Sequence, residues 1–125
     1  MIHLDTNYLI GLAVRGSTPA AHVDQWLAGG VTLGASALAW TEFLNGPVSA
    51  NEIVLVETVI GGNVVSFDKA TATLAAQLFN QTGRRRGSRF DCLIAATAIA
   101  AIAEFATENQ KDFAPFVAHG LKLKN

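Results

Sequence analysis

Met1-Ile2-His3-Leu4-Asp5-Thr6-Asn7-Tyr8 is the stretch on which the fold turns. Met1 to Leu4 is a short run that reads as a buried strand, and it stops on an acid. Thr6 or Asn7 can cap a helix beginning near Tyr8. A strand that passes through a carboxylate straight into a helix is an α/β junction. In open α/β sheets, ligands bind at the carboxyl ends of the strands. Asp5 therefore has two readings, a helix cap or a ligand for a hard cation.

Outward from this stretch, strand and helix signals alternate. Gly16-Ser17-Thr18-Pro19 is a turn, with Ser17 or Thr18 capping a helix that carries Val23, Trp26 and Leu27 and ends at Gly29-Gly30. Val31 to Gly34 reads as a second strand. A helix follows from Ser36 to Leu44, broken by Gly46-Pro47. Ile53, Val54, Val56, Glu57 and Ile60 mark another helix, and Val64 to Phe67 a third strand. Asp68 opens a helix to Thr82, Gly83 to Ser88 is a basic loop, and Asp91 to Ala100 is a strongly apolar helix. Ile102 to Ala106 reads as a fourth strand, although its Ala and Glu also suit a helix. Asp112 falls in a loop or short helix, and Gly120 to Leu123 is a last edge strand. This alternation predicts a mainly parallel sheet with helices on both faces.

Half of the 125 residues are hydrophobic and 15% are charged, which favours a compact, well-buried globule over a disordered tail. The length fits one domain over residues 1–125. The one cysteine, Cys92, allows no internal disulfide and fits a reducing, cytoplasmic setting. The N-terminus has no basic region ahead of an apolar stretch, so no signal peptide is expected. Leu93 to Phe105, interrupted by Thr97 and Glu104, falls short of the roughly 20 apolar residues that cross a bilayer, so no membrane partner is expected. The net charge of −1 is not that of a typical nucleic-acid binder. Yet Arg84, Arg85, Arg86 and Arg89 crowd one loop, and metal-bound carboxylates need not repel a polyanion.

The acids carry the chemistry. Glu42 is set among apolar neighbours in Ala37 to Leu44, either near a buried face, where an unpaired carboxylate costs several kcal/mol, or facing solvent. Asp91 opens an apolar helix, either as a favourable N-terminal charge or as a ligand on a rigid element. Asn109 and Asp112 follow the last apolar strand as Asp5 follows the first, and turn chemistry explains them equally well. The arginine run suits phosphates or a solvated loop. Trp26, Trp40 and Cys92 read as core. His3, His22 and His119 lack metal-ligand spacing.

Leu4-Asp5-Thr6-Asn7, Thr41-Glu42, the Asp91-Cys92-Leu93-Ile94-Ala95-Ala96-Thr97-Ala98 stretch, and Asn109 with Asp112-Phe113 together resemble the PIN-domain family. Within it they resemble the VapC-type toxins of bacterial and archaeal toxin–antitoxin pairs. The resemblance spans essentially the whole chain. It implies a three-layer α/β/α fold around a central, mainly parallel sheet of four to five strands. It implies an endoribonuclease dependent on Mg²⁺ or Mn²⁺, with Asp5, Glu42 and Asp91 as central acids and Asn109 or Asp112 as the fourth ligand. Asp5 and Asp91 are expected as direct ligands, and Glu42 as a ligand or a base that orients water. Asp112 joins them in the catalytic set. Thr6, Asn7, Arg86 and Arg89 are expected to contact substrate RNA. The partners implied are a small cognate antitoxin and a second copy in a homodimer.

The chain departs from the family pattern twice. The glycine that often precedes the fourth strand is missing from Ala100-Ala101-Ile102-Ala103-Glu104. Thr107-Glu108 stands where Thr-Arg or Thr-Asn is usual, adding an acid that would supplement the metal site or weaken phosphate binding. Two rival readings remain. An aspartyl-phosphate phosphatase also carries an acid after its first strand but wants a second acid two residues on, where this chain has Asn7. A PIN-like binding module would keep the fold without catalysis.

Overall fold

The structure is a computed structural model that describes residues 1–125. Its strands are Ile2–Leu4 (β1), Leu33–Ser36 (β2), Val64–Val65 (β3), Glu104–Ala106 (β4) and Lys122–Leu123 (β5). They form one five-stranded sheet in the order β3-β2-β1-β4-β5, every pairing parallel. The helices are Thr6–Leu12 (α1), Thr18–Ala28 (α2), Ala37–Asn45 (α3), Ala50–Val59 (α4), Lys69–Gln81 (α5), Arg89–Ala100 (α6) and Gln110–Phe113 (α7). Short 3₁₀ turns lie at Arg86–Ser88 and Ala114–His119.

Alternation along the strands feeds two cores. Ile2 and Leu4 pack with Leu9, Val23, Phe43 and Val56 from the first four helices. Phe105 packs with Leu78, Ile94, Phe113 and Phe116 on the other side. Each fully buried Phe or Leu contributes about 1.5–3 kcal/mol, so the three layers are held by both faces of the sheet. α1 and α2 approach closely because Gly11 has no side chain; a Cβ there would stand 2.7 Å from Pro19.

The three-layer α/β/α fold with a parallel sheet is the one expected from the sequence, and the differences are at element ends. Asp5 itself caps α1, its Oδ1 accepting from the Thr6 amide at 2.8 Å, so neither Thr6 nor Asn7 is the cap. β2 begins at Leu33 rather than Val31, because the Val31 amide turns back to Trp26 O at 3.0 Å to close α2. β3 is only Val64–Val65. β4 begins at Glu104 rather than Ile102. Residues 101–103 complete the end of α6, with the Ala103 amide bonding Ala98 O and Ile102 at φ 53°. That closure is the one in which glycine is usual, so Ile102 occupies a left-handed position that disfavours a β-branched side chain. No helix is long and apolar enough to cross a membrane.

Candidate active site

The strand register builds the site. Leu4 pairs with Ala106 and His3 with Gly34. The residues just beyond β1 and β4, Asp5 and Thr107, thus emerge side by side at the carboxyl edge of the sheet, with Ser36 at the end of β2. Each is polar because each meets a helix start or a turn. Ser36 Oγ caps α3 by accepting from the Ala39 amide at 3.0 Å.

Asp5 is buried but well supplied with donors. Its Oδ2 accepts from Thr107 Oγ1 at 2.6 Å and from Asn7 Nδ2 at 3.4 Å, and its Oδ1 from the Thr6 amide. Thr107 joins the parts. Its Oγ1 also accepts from the Asn109 amide at 2.9 Å and from Asn7 Nδ2 at 3.4 Å. Asn7 Oδ1 accepts from the Glu108 amide at 3.2 Å. Burial pushes the Asp5 carboxyl above its ordinary range, the bonds from Thr107 and Thr6 hold it down, and Glu42 and Asp112 push it up again.

α3 carries Glu42 to the rim, where Oε1 accepts from Thr6 Oγ1 at 2.6 Å. Glu42 is exposed, and it is its neighbour Phe43 that enters the core. Of the two sequence readings for Glu42, the solvent-facing one describes its environment. Asp91 lies half-buried in the first turn of α6. Its carboxyl is pushed up to about 6, first by burial and then by Asp5, Asp112 and Glu42, against an opposing pull from Arg85.

These side chains enclose two adjoining cavities that share Asp91. The first, of about 280 Å³, is ringed by Asp5, Thr6, Asn7, Ile10, Glu42, Asp91 and Asn109. The second, of about 220 Å³, is lined by Arg85, Gly87, Ser88, Asp91 and Asp112. Asp5, Glu42, Asp91 and Asn109 are thus drawn to one place from four segments of the chain, and Asp112 stands in the next cavity. Glu108 lines neither. Thr6 and Asn7 are at the cavity with Asp5. Among the arginines it is Arg85 that lines the acid cavities, not Arg86 or Arg89. Arg86 is exposed in the 3₁₀ turn, and Arg89 lies over the Phe79 ring.

The donor set is hard oxygen, and none of these carboxylates is in an ion pair; the one salt bridge of the chain is Lys124–Glu104 at 3.9 Å. That chemistry fits Mg²⁺ or Mn²⁺. The acids ring a cavity rather than close on a point, and no three His, Cys, Asp or Glu side chains stand tightly enough together to share an ion as placed.

Thr107, Arg85 and Ser88 are the members of this constellation that were not anticipated. Thr107 had a legible signal, a polar residue directly after an apolar strand. For Arg85 and Ser88 there was none, since several arginines in a row are equivalent on paper.

Residues 2–115 match the family model of the PIN domain. The chain belongs to the PIN-domain family. Solved structures resemble this PIN domain along nearly its whole length. FitAcB from Neisseria gonorrhoeae is 26% identical with a TM-score of 0.70, over 100% of this chain and 97% of that one. VapBC2 from Rickettsia felis, bound to a DNA fragment from its promoter, is 22% identical with a TM-score of 0.74, over 100% and 98%. DNA-bound VapBC from Salmonella typhimurium is 18% identical with a TM-score of 0.75, over 98% and 96%. No curated protein matches this PIN domain in sequence.

Proposed function

We propose that this PIN domain is a Mg²⁺- or Mn²⁺-dependent endoribonuclease and the toxin of a toxin–antitoxin pair. The observation that supports it is the gathering of Asp5, Glu42, Asp91 and Asn109 around one cavity at the carboxyl edge of the sheet, with Asp112 alongside. Asp5 and Asp91 are the direct ligands, and Asn109 and Asp112 complete the site directly or through water. A divalent ion bound there supplies a more acidic water and offsets charge on the phosphoryl oxygens. Asp5, fixed by Thr107, Thr6 and Asn7, is preorganised. Glu42, reached by the Thr6 hydroxyl, orients the attacking water. Arg85, whose guanidinium forks match a phosphate, neutralises the chain entering beside Asp91. Thr6 and Asn7 meet substrate at the rim.

The toxin assignment draws on the likeness to FitAcB and the VapBC complexes. A small antitoxin would silence the site, and a homodimer would cover exposed apolar side chains such as Val54 and Leu55. The setting is cytoplasmic. The phosphatase reading has less support, because Asn7 is engaged in holding Asp5 and Thr107 rather than carrying a proton.

Purified protein should cleave structured RNA with Mn²⁺ or Mg²⁺, stop with EDTA, and lose at least about a hundredfold in rate as Asp91→Asn, since even outer-shell partners of a metal are worth about 10–100-fold. Expressed alone it should slow growth, and Asp5→Ala should relieve this at equal protein levels. RNA left intact by the folded protein with either ion would leave the binding-module reading in its place.

A further inference from the structure

The arginine loop is divided between two environments. Arg85 lines the acid cavity, whereas Arg84 and Arg89 line an apolar cavity of about 450 Å³ between α5 and α6. Its walls include Phe67, Ala72, Ala75, Ala76, Phe79 and Leu93. Both guanidinium carbons lie over one ring, 5.4 Å (Arg84) and 5.1 Å (Arg89) from the Phe79 centroid. The backbone is bent to achieve this. Gly83 and Arg84 both take positive φ, 89° and 53°, and the Arg84 amide bonds back to Phe79 O at 3.0 Å.

Two like charges are thereby held at one mouth, and neither has a carboxylate partner anywhere in the chain, whose single ion pair is Lys124–Glu104. The Arg84 guanidinium reaches only the neutral side chain of Asn80. Guanidiniums gathered over an apolar hollow favour an anion at the rim and a hydrophobic group inside.

We propose that this cavity is a docking site for a segment of a partner protein in which an aromatic or branched aliphatic side chain is flanked by carboxylates. The apolar side chain fills the hollow over Ala75, Ala76 and Leu93, and the flanking acids pair with Arg84 and Arg89. Charge complementarity selects this occupant. A nucleic-acid base in the same hollow would leave its ring-edge donors and acceptors facing alanine and phenylalanine walls, at the cost of burying unpaired polar groups. A second copy seated symmetrically would bring the same arginine loop against itself, setting like charges together. The inference does not depend on the nuclease reading, because none of these residues belongs to the carboxylate cluster.

The probe is a fluorescein-labelled synthetic hexapeptide, Asp-Glu-Leu-Phe-Glu-Asp, titrated with the full chain at low salt and followed by fluorescence anisotropy. Saturable binding is expected, and it weakens as salt is raised. The double variant Arg84→Gln/Arg89→Gln should weaken it by about tenfold or more, equivalent to about 1.4 kcal/mol. Ala76→Trp, which fills the hollow from an exposed position, should remove it. All three sites are exposed, so the variants should keep the parent circular dichroism. A lysine-flanked Leu-Phe peptide should not bind. The proposal is overturned if the acidic peptide fails to bind or if the lysine-flanked one binds equally. It is also overturned if Ala76→Trp leaves binding unchanged, if a single-stranded RNA oligomer displaces the peptide through the same arginines, or if sedimentation shows a dimer that Ala76→Trp dissolves.

Discussion

His3 and Asp5 are both ionisable, both buried, and two residues apart on the same stretch of chain, yet the fold treats them oppositely. His3 is 1% exposed and neither ring nitrogen has a hydrogen-bond partner. Asp5 is 5% exposed and both carboxylate oxygens accept bonds. The difference is position along β1. Inside the sheet, the backbone donors beside a side chain are spent on the ladder, and the facing residues of β2 and β4 at His3 are Gly34 and Phe105. One step past the strand, helix starts and turns present free amides and hydroxyls. The carboxyl edge is where a buried polar group can be satisfied, and therefore where a site can be built.

The largest expected effect breaks the comparison at His3. Burial, and then the nearby N-terminal charge, lower its pKa to about 4 from 6.5. The folded value is depressed, so the stability it permits is fully present above pH 6.5 and is lost as pH falls from there through about 4. The loss should approach about 3 kcal/mol. Urea unfolding of the parent between pH 7 and pH 4.5, beside His3→Val, checks this. The variant should flatten that part of the profile, and a parallel fall in both proteins would locate the acid sensitivity elsewhere.

Next in size, Thr107→Val should make Asp5 resemble His3 by removing its strongest donor and leaving the Asn7 and Asn109 contacts without an acceptor. A destabilisation of about 2 kcal/mol is expected, with Thr107→Ser recovering most of it. Equal losses for Val and Ser would show that packing, not the hydroxyl, matters at Thr107.

Asp91 sharpens the comparison from another side, as an acid held up first by burial and then by the like charges around it. Its folded pKa of about 6 stands above the ordinary 3.8, so the stabilised state is the protonated one. Stability tied to Asp91 is fully present below pH 3.8 and declines as pH rises through about 6. Metal-free Asp91→Asn should therefore be more stable than the parent at pH 7.5, by about 1 kcal/mol after allowance for solvent screening, and the gain should vanish near pH 4. Paired melting curves in EDTA read both points; a variant less stable at pH 7.5 would contradict the cost of burying this charge among other acids.

The smallest effect tests the amino edge of the sheet, where no site is built. Ile102 is 81% exposed at φ 53°. Ile102→Gly should relieve a left-handed strain of about 1–2 kcal/mol and return part of it as unfolded-state entropy, for a net gain of about 0.5–1 kcal/mol. Thermal melting decides the sign.

The parallel α/β order, the helices and most caps were legible because their signals are local. Ser17, Ser36 and Asp68 each precede the helix that they cap, and Asp5 stands where the first apolar run stops. The errors lie where a helix closure borrows residues that look like strand. Val31 and Ile102 are apolar and β-branched, but their amides finish α2 and α6. In the site, the acids were visible as residues out of keeping with their neighbours. Arg85 was not, because the turn at Gly83-Arg84, rather than residue type, decides which arginine faces Asp91.

By itself the sequence determined the element types, most of the caps, and a set of oxygen-bearing side chains, most of them at a strand end or a helix start, with Glu42 inside α3. Those properties are set within one or two turns of chain by backbone sterics, hydrogen bonding and periodicity. Only the tertiary structure decided that β1 lies between β2 and β4, and hence that Asp5 stands beside both Ser36 and Thr107, about a hundred residues on. Strand order depends on burying the apolar faces of all the helices at once against both sides of a single sheet, and no local window of sequence carries that sum.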